Sequence, residues 1–175
     1  MTQDRISKTF DRLRSHKKTG LVPYITVGFP DIATTLQLVP ALVEAGADII
    51  ELGVPFSDPL ADGITIQQAS FHAVSQGVTL KRCLEVCAEL RGNGVEVPLV
   101  FMGYYTIFLN MGLDEFAKQA SEAGLDGIIV PDLPIEESLP LQEACQIHGI
   151  HLIPLLAPTS TDLRIARACA KAGGF

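Results

Sequence analysis

The segments EAGADIIELG (44–53) and EAGLDGIIVPD (122–132) are weak copies of one another, and KAGGF (171–175) begins like a third. Each copy puts a glycine where a helix ends, the place where a left-handed residue turns the chain into the next strand. Each full copy then runs into a short apolar, β-branched stretch. Five such stretches occur in all: LVPYITV (21–27), ADIIELG (47–53), VPLVFMG (97–103), DGIIVPD (126–132) and HLIPLL (151–156). Helix-period segments lie between them, at 34–46, 64–76, 79–91, 112–124 and 137–149. Strand and helix in alternation predict a parallel sheet covered by helices. The nearly unbroken apolarity of the strands predicts burial on both faces.

Two architectures have this alternation: an open, doubly wound sheet and a closed (β/α)8 barrel. The open sheet would carry a glycine-rich phosphate turn after its first strand, but the chain reads TVGFPD there, with neither G-x-G-x-x-G nor G-x-x-x-x-G-K-[ST]. Barrels collect polar residues at the C-terminal ends of their strands, as several strands here do. The barrel is therefore the predicted fold. A complete barrel has eight units and about 200 residues or more. The 175 residues supply five strands, with the closing GF as the first step of a sixth. The expectation is one partial TIM-barrel domain over 1–175, holding about the first five βα units and lacking the sixth to eighth.

Composition narrows the function classes. A net charge of −7 without a basic stripe argues against a nucleic-acid partner. No apolar run reaches the roughly 18–20 residues of a membrane span. The N-terminal MTQDRISKTFDRLRSHKK has no apolar signal core and carries acids. A soluble cytoplasmic protein is expected. Cys83 and Cys87 are four apart on a predicted helix, a spacing that invites a metal reading. No histidine or second cysteine pair stands near them, and both belong to the stripe Leu80, Cys83, Leu84, Cys87, Leu90, so they are predicted to be core thiols. The four histidines form no cluster.

The stretch ELGVPFSDPLADG (51–63) draws attention for its carboxylates. Side chains alternate along a strand, so Ile49, Glu51 and Gly53 share one face and Ile50 and Leu52 the other. With Ile50 and Leu52 against the helices, Glu51 points into the barrel mouth. Partial desolvation there would raise its pKa towards the range of a general acid–base. The structural alternative is a glutamate paired with an arginine or lysine across the barrel. Gly53 on the same face would leave room for a ligand. Asp58 and Asp62 sit in ordinary turn dipeptides, and by residue type alone are turn formers. Ser57 has no partner suggesting a nucleophile and is expected to cap the loop. D-x-x-x-D-G is not a calcium ladder.

Taken whole, IELGVPFSDPLADGITIQ (50–67) resembles the signature of the tryptophan synthase α subunit family. LVPYITVGFPD (21–31), PLVFMGYY (98–105), GLDGIIVPDLPIEES (124–138) and LLAPTSTDLRI (155–165) look like the same family in order and spacing. The resemblance implies a (β/α)8 lyase that splits indole-3-glycerol phosphate into indole and glyceraldehyde 3-phosphate by a retro-aldol reaction, without metal or organic cofactor. It places the acid–base role on Glu51 and the indole-orienting carboxylate on Asp62. It maps the indole pocket onto Tyr24, Met102, Tyr104, Ile129, Pro131 and Leu155. Position 24 is usually phenylalanine in the family, so its hydroxyl needs a partner, and Pro131 stands where some members carry alanine. The family also implies a pyridoxal-phosphate β subunit as partner, with Pro55 and Asp58 in the contact region.

By the same resemblance, the phosphate-binding amides and a mobile loop belong to later βα units. The 175-residue chain alone is therefore expected to have little or no activity. Two other readings are weighed beside it. One is a different phosphate-sugar barrel, such as an isomerase or aldolase. The other is a non-catalytic fragment that binds or activates a β subunit.

Overall fold

The computed structural model describes residues 4–175. Five parallel strands form one sheet: β1 (Tyr24–Thr26), β2 (Ile50–Gly53), β3 (Leu99–Met102), β4 (Gly127–Ile129) and β5 (His151–Ile153). Their spatial order is β1-β2-β3-β4-β5, each strand pairing with the next in sequence. A doubly wound sheet reverses its strand order part-way. No reversal occurs here, so the sheet winds in one direction as a barrel wall does.

The helices are α1 (Arg5–Ser15), α2 (Ile32–Glu44), α3 (Ile64–Ser75), α4 (Leu80–Gly92), α5 (Tyr105–Met111), α6 (Leu113–Glu122), α7 (Leu139–Ile147) and α8 (Asp162–Lys171). No helix among the described residues is long and apolar enough to cross a membrane. Aspartate caps explain two of the starts, since Asp4 and Asp31 accept the amides of Ser7 and Thr34. The predicted helices fall within a few residues of their observed bounds. Helices α1, α5 and α8 were not among them.

The strands separate two apolar clusters. On the outer face, Ile50, Leu52, Leu99, Phe101, Ile128 and Val130 pack against the helices. Cys83 and Cys87 lie in this core, and burial pushes both thiols up, Cys87 to about 12. On the inner face, Ile49, Val100, Ile129 and Ile153 meet Ile6. Ile6 comes from α1, which lies across the N-terminal end of the inner face.

The repeat is realised in its first two copies, where Gly46 and Gly124 have φ of 106° and 80°. The third copy differs. Helix α8 leaves through an extended Ala172, and the left-handed residue is Gly174. Gly173 is needed for space instead, because a Cβ there would stand 2.5 Å from His151 Nδ1. Its amide donates to Leu152 O at 3.3 Å, a hydrogen bond that brings the chain alongside β5.

Candidate active site

Register fixes where Glu51 points. Tyr24, Glu51, Val100, Gly127 and His151 form one row across the five strands, and Thr26, Gly53, Met102, Ile129 and Ile153 form the row two residues further on. Val100, Ile129 and Ile153 belong to the inner cluster. Residues two apart on a strand share a face, so Glu51 faces inward, towards the strand C-termini. Tyr24, Met102 and Ile129 are its neighbours there.

Glu51 is half-buried, and desolvation raises its pKa above the ordinary carboxylate value. Among the described residues no cation lies within ion-pair distance of it and no donor bonds it. This carboxylate is partly desolvated without a counter-charge in exchange among the described residues, the condition that moves a glutamate towards acid–base service.

The room expected beside Gly53 is taken. A Cβ at that position would collide with the Tyr24 hydroxyl and lie 2.5 Å from its ring carbon. Glycine is required there because the tyrosine ring crosses the backbone, not because a ligand needs the space. The Tyr24 hydroxyl stands 3.4 Å from Thr26 Oγ1. Its pKa is raised, first by burial and further by the charges of Asp62 and Glu51. Both carboxylates thus act on one phenol.

Asp62 arrives by a loop rather than a strand. After β2 the chain runs through residues 54–63 to α3, and three side chains tie it down. Ser70 Oγ accepts the Phe56 amide and donates to the Phe56 carbonyl, both at 2.8 Å. Gln67 Nε2 donates to the carbonyls of Asp62 (2.9 Å) and Pro59 (3.3 Å). Tyr104 stacks on Phe56 with ring centroids 5.1 Å apart, accepts the Ala61 amide at 2.8 Å and donates to Asp62 Oδ2 at 3.0 Å. Ser57 Oγ donates to Asp58 Oδ2 at 2.7 Å, a bond inside the loop as its predicted capping role requires.

The predicted site residues therefore divide. Glu51, Tyr24, Met102 and Ile129 share the inner face. Pro131, two residues past Ile129, is half-buried, and Leu155 is 58% exposed beyond the end of β5. Tyr104 is only 6% exposed, and its hydroxyl is committed to the β2–α3 loop. Pro55 is buried and presents no surface, whereas Asp58 and Leu60 (89%) are exposed. Sequence reasoning did not single out Ser70, Gln67 or Asp132. Gln67 and Ser70 are three apart just after the loop, which puts them on one helix face, and that spacing was the available signal.

A parallel sheet in barrel order, an unpaired inward glutamate and a clamped aspartate loop can be set beside known proteins. Residues 10–175 match the family described as tryptophan synthase alpha chain. The chain belongs to the tryptophan synthase alpha chain family. A family member from Roseiflexus sp. (strain RS-1) is 52% identical over 171 residues, covering 98% of this chain and 66% of its own length. The alpha chain of Methanosarcina acetivorans is 45% identical over 173 residues, covering 99% and 62% respectively. Among solved structures, the alpha subunit from Legionella pneumophila str. Paris superposes with a TM-score of 0.96 at 39% identity, covering 99% of this chain and 66% of that one. The chain thus spans just under two thirds of the length of these relatives. The agreement in fold supports the partial (β/α)8 barrel that the strand order indicates.

Proposed function

We propose that these residues form the acid–base half of an indole-3-glycerol-phosphate lyase site in tryptophan biosynthesis. The observation that carries the reading is Glu51: inward, half-buried, raised in pKa by desolvation and without a counter-charge among the described residues. The reaction needs one group to move two protons. Glu51 in its acid form gives a proton to indole C3, and the ring nitrogen takes on positive charge. Asp62 accepts the indole N–H hydrogen bond and stabilises that charge. The Glu51 carboxylate then removes the proton of the adjacent glycerol hydroxyl. The bond from C3 to the glycerol carbon breaks, its electron pair returns to the ring, and the alcohol carbon becomes the aldehyde of glyceraldehyde 3-phosphate. The proton count on Glu51 is restored. Met102, Ile129 and Tyr24 supply the apolar wall that a flat indole fits, with Pro131 and Leu155 at its rim.

A tryptophan synthase β subunit as partner and a cytoplasmic location belong to the same proposal. Asp58 and Leu60, exposed on the loop that carries Asp62, are its contact residues, and buried Pro55 stiffens their support.

The test is indole release from indole-3-glycerol phosphate, measured for this chain and for this chain extended to the length of its relatives. Each is compared with Glu51→Gln. Release by the extended wild type that Glu51→Gln abolishes supports the reading. Equal rates for the two would remove Glu51 from the chemistry.

A further inference from the structure

We propose that Tyr104 is a positioning residue that decides which oxygen of Asp62 faces a bound ligand. This rests on the site reading given above and deepens it, moving Tyr104 from pocket wall to control of the carboxylate.

A phenol has one proton to give. The Ala61 amide donates to the Tyr104 hydroxyl at 2.8 Å, so the hydroxyl is an acceptor on that side and its own proton goes to Asp62 Oδ2 at 3.0 Å. One acceptor position of Oδ2 is thereby taken and that oxygen is turned towards the phenol. Asp62 Oδ1 accepts no hydrogen bond among the described residues, which leaves it as the oxygen for an incoming N–H. Neighbouring bonds make this assignment stable. Burial first, and then the charges of Asp62 and Asp132, push the phenol up to about 12, so the proton stays on Tyr104 at neutral pH.

The residue is held through its ring and through the backbone beside it. It stacks on Phe56 at an interplanar angle of 28°. Its backbone is extended (φ −82°, ψ 142°) as the N-cap of α5. The first amide of that helix, Tyr105 N, donates to Asp132 Oδ1 at 2.9 Å. A route of contacts therefore runs from the end of β4, through Asp132 and the start of α5, to Tyr104 and Asp62. Gln67 and Ser70 hold the loop's backbone from α3, but of these tethers only Tyr104 bonds the carboxylate.

The test is Tyr104→Phe, which keeps the ring and its stack on Phe56 and removes the two hydrogen bonds. Retained folding is checked by the thermal midpoint. The first readout needs no catalysis: amide hydrogen exchange in the ligand-free chain. Exchange at Ala61 is expected to quicken about tenfold on losing its acceptor. The second readout is a double-mutant cycle on indole release by the extended chain. Tyr104→Phe alone is expected to lower kcat about tenfold to a hundredfold. In the Asp62→Asn background it should add less than about twofold, because it acts through that carboxylate. Unchanged exchange at Ala61 would overturn the proposal, and so would two effects that simply multiply. If the extended wild type released no indole, the proposed function would fall, while exchange at Ala61 would still judge Tyr104.

Discussion

The two ends of the same strands carry the same kind of residue to opposite ends. At the strand starts, the repeat places Asp48 and Asp126 at equivalent positions. Each accepts the first amide of the neighbouring strand region, Leu21 N at 3.0 Å and Leu99 N at 2.8 Å. Each is also paired with arginine: Arg12 at 2.7 Å from Asp48, and Arg91 and Arg5 at 2.5 and 3.1 Å from Asp126. At the strand ends, Glu51 has no such partner among the described residues and the Asp62 carboxylate is held by a hydroxyl. Asp126 is 7% exposed, less than Glu51, so burial alone does not mark a reactive carboxylate. What sets Glu51 apart from Asp126 is the lack of a counter-charge among the described residues. A groove of about 620 Å³ opens beside Arg5, Lys8, Glu96 and Asp126, yet its buried carboxylate is fully employed in holding strands together.

Substitutions at the two ends should separate accordingly. On the proposed function, the largest effect is expected for Glu51→Gln in the chain extended to the length of its relatives, a loss of about 10²- to 10⁴-fold in kcat for indole release, with the fold intact. Its stability has a sign that can be checked. A carboxylate whose folded pKa is raised binds its proton more tightly when folded, so its contribution to stability falls as pH rises from the unfolded value of about 4.3 through the folded one. Glu51→Gln should therefore be at least as stable as wild type at pH 7 and lose that advantage near pH 4. A thermal midpoint lower than wild type at pH 7 would contradict the desolvated, unpaired carboxylate.

Asp126→Ala should do the reverse, with a large loss of stability. It leaves Arg91 without its close counter-charge and the Leu99 amide without an acceptor, at about 3–5 kcal/mol in urea unfolding. Asp48→Ala, whose arginine is more exposed, should cost about 1–2 kcal/mol. Equal losses at the two aspartates would break the argument that burial sets their weight. Gly53→Ala lies between the two ends in character. Its Cβ would collide with the Tyr24 ring, at about 1–3 kcal/mol, and adding Tyr24→Phe should not rescue it, because the ring carbon remains at 2.5 Å. The smallest effect is Tyr24→Phe alone, within about 0.5 kcal/mol of stability, since the hydroxyl makes only a 3.4 Å contact. A large kinetic loss from that change would place the Tyr24 hydroxyl in the reaction.

Much of the scaffold was legible from patterning. All five apolar runs became strands, and five helices fell near their predicted places, because period and burial coincide in a two-layer wall. Alternation put Glu51 on the face opposite Ile50 and Leu52, and their packing against the helices made that face the inner one. Helix α1 was missed because its apolar residues Ile6, Phe10 and Leu13 were weighed only as part of a targeting segment. Its partner is the inner sheet face, a contact with residues more than 40 positions away. Helix α5 has seven residues and ends at Gly112, φ 91°, too short to show a period. Gly53 was misread because glycine signals that something comes close, without saying whether it is a ligand or, as here, a tyrosine from the preceding strand.

The carboxylates show where the boundary lies. Local sequence determined that Glu51 lies on the face opposite Ile50 and Leu52 and that residues 54–63 form a stiff loop, since alternation and turn chemistry act over a few bonds. Tertiary structure decided what each carboxylate meets. Asp62 is aimed by Tyr104, 42 residues away, and Asp126 is neutralised by Arg91, 35 away, and by Arg5, 121 away. Counter-charge and hydrogen-bond direction depend on through-space neighbours, and only the closing of strand on strand brings those neighbours within reach.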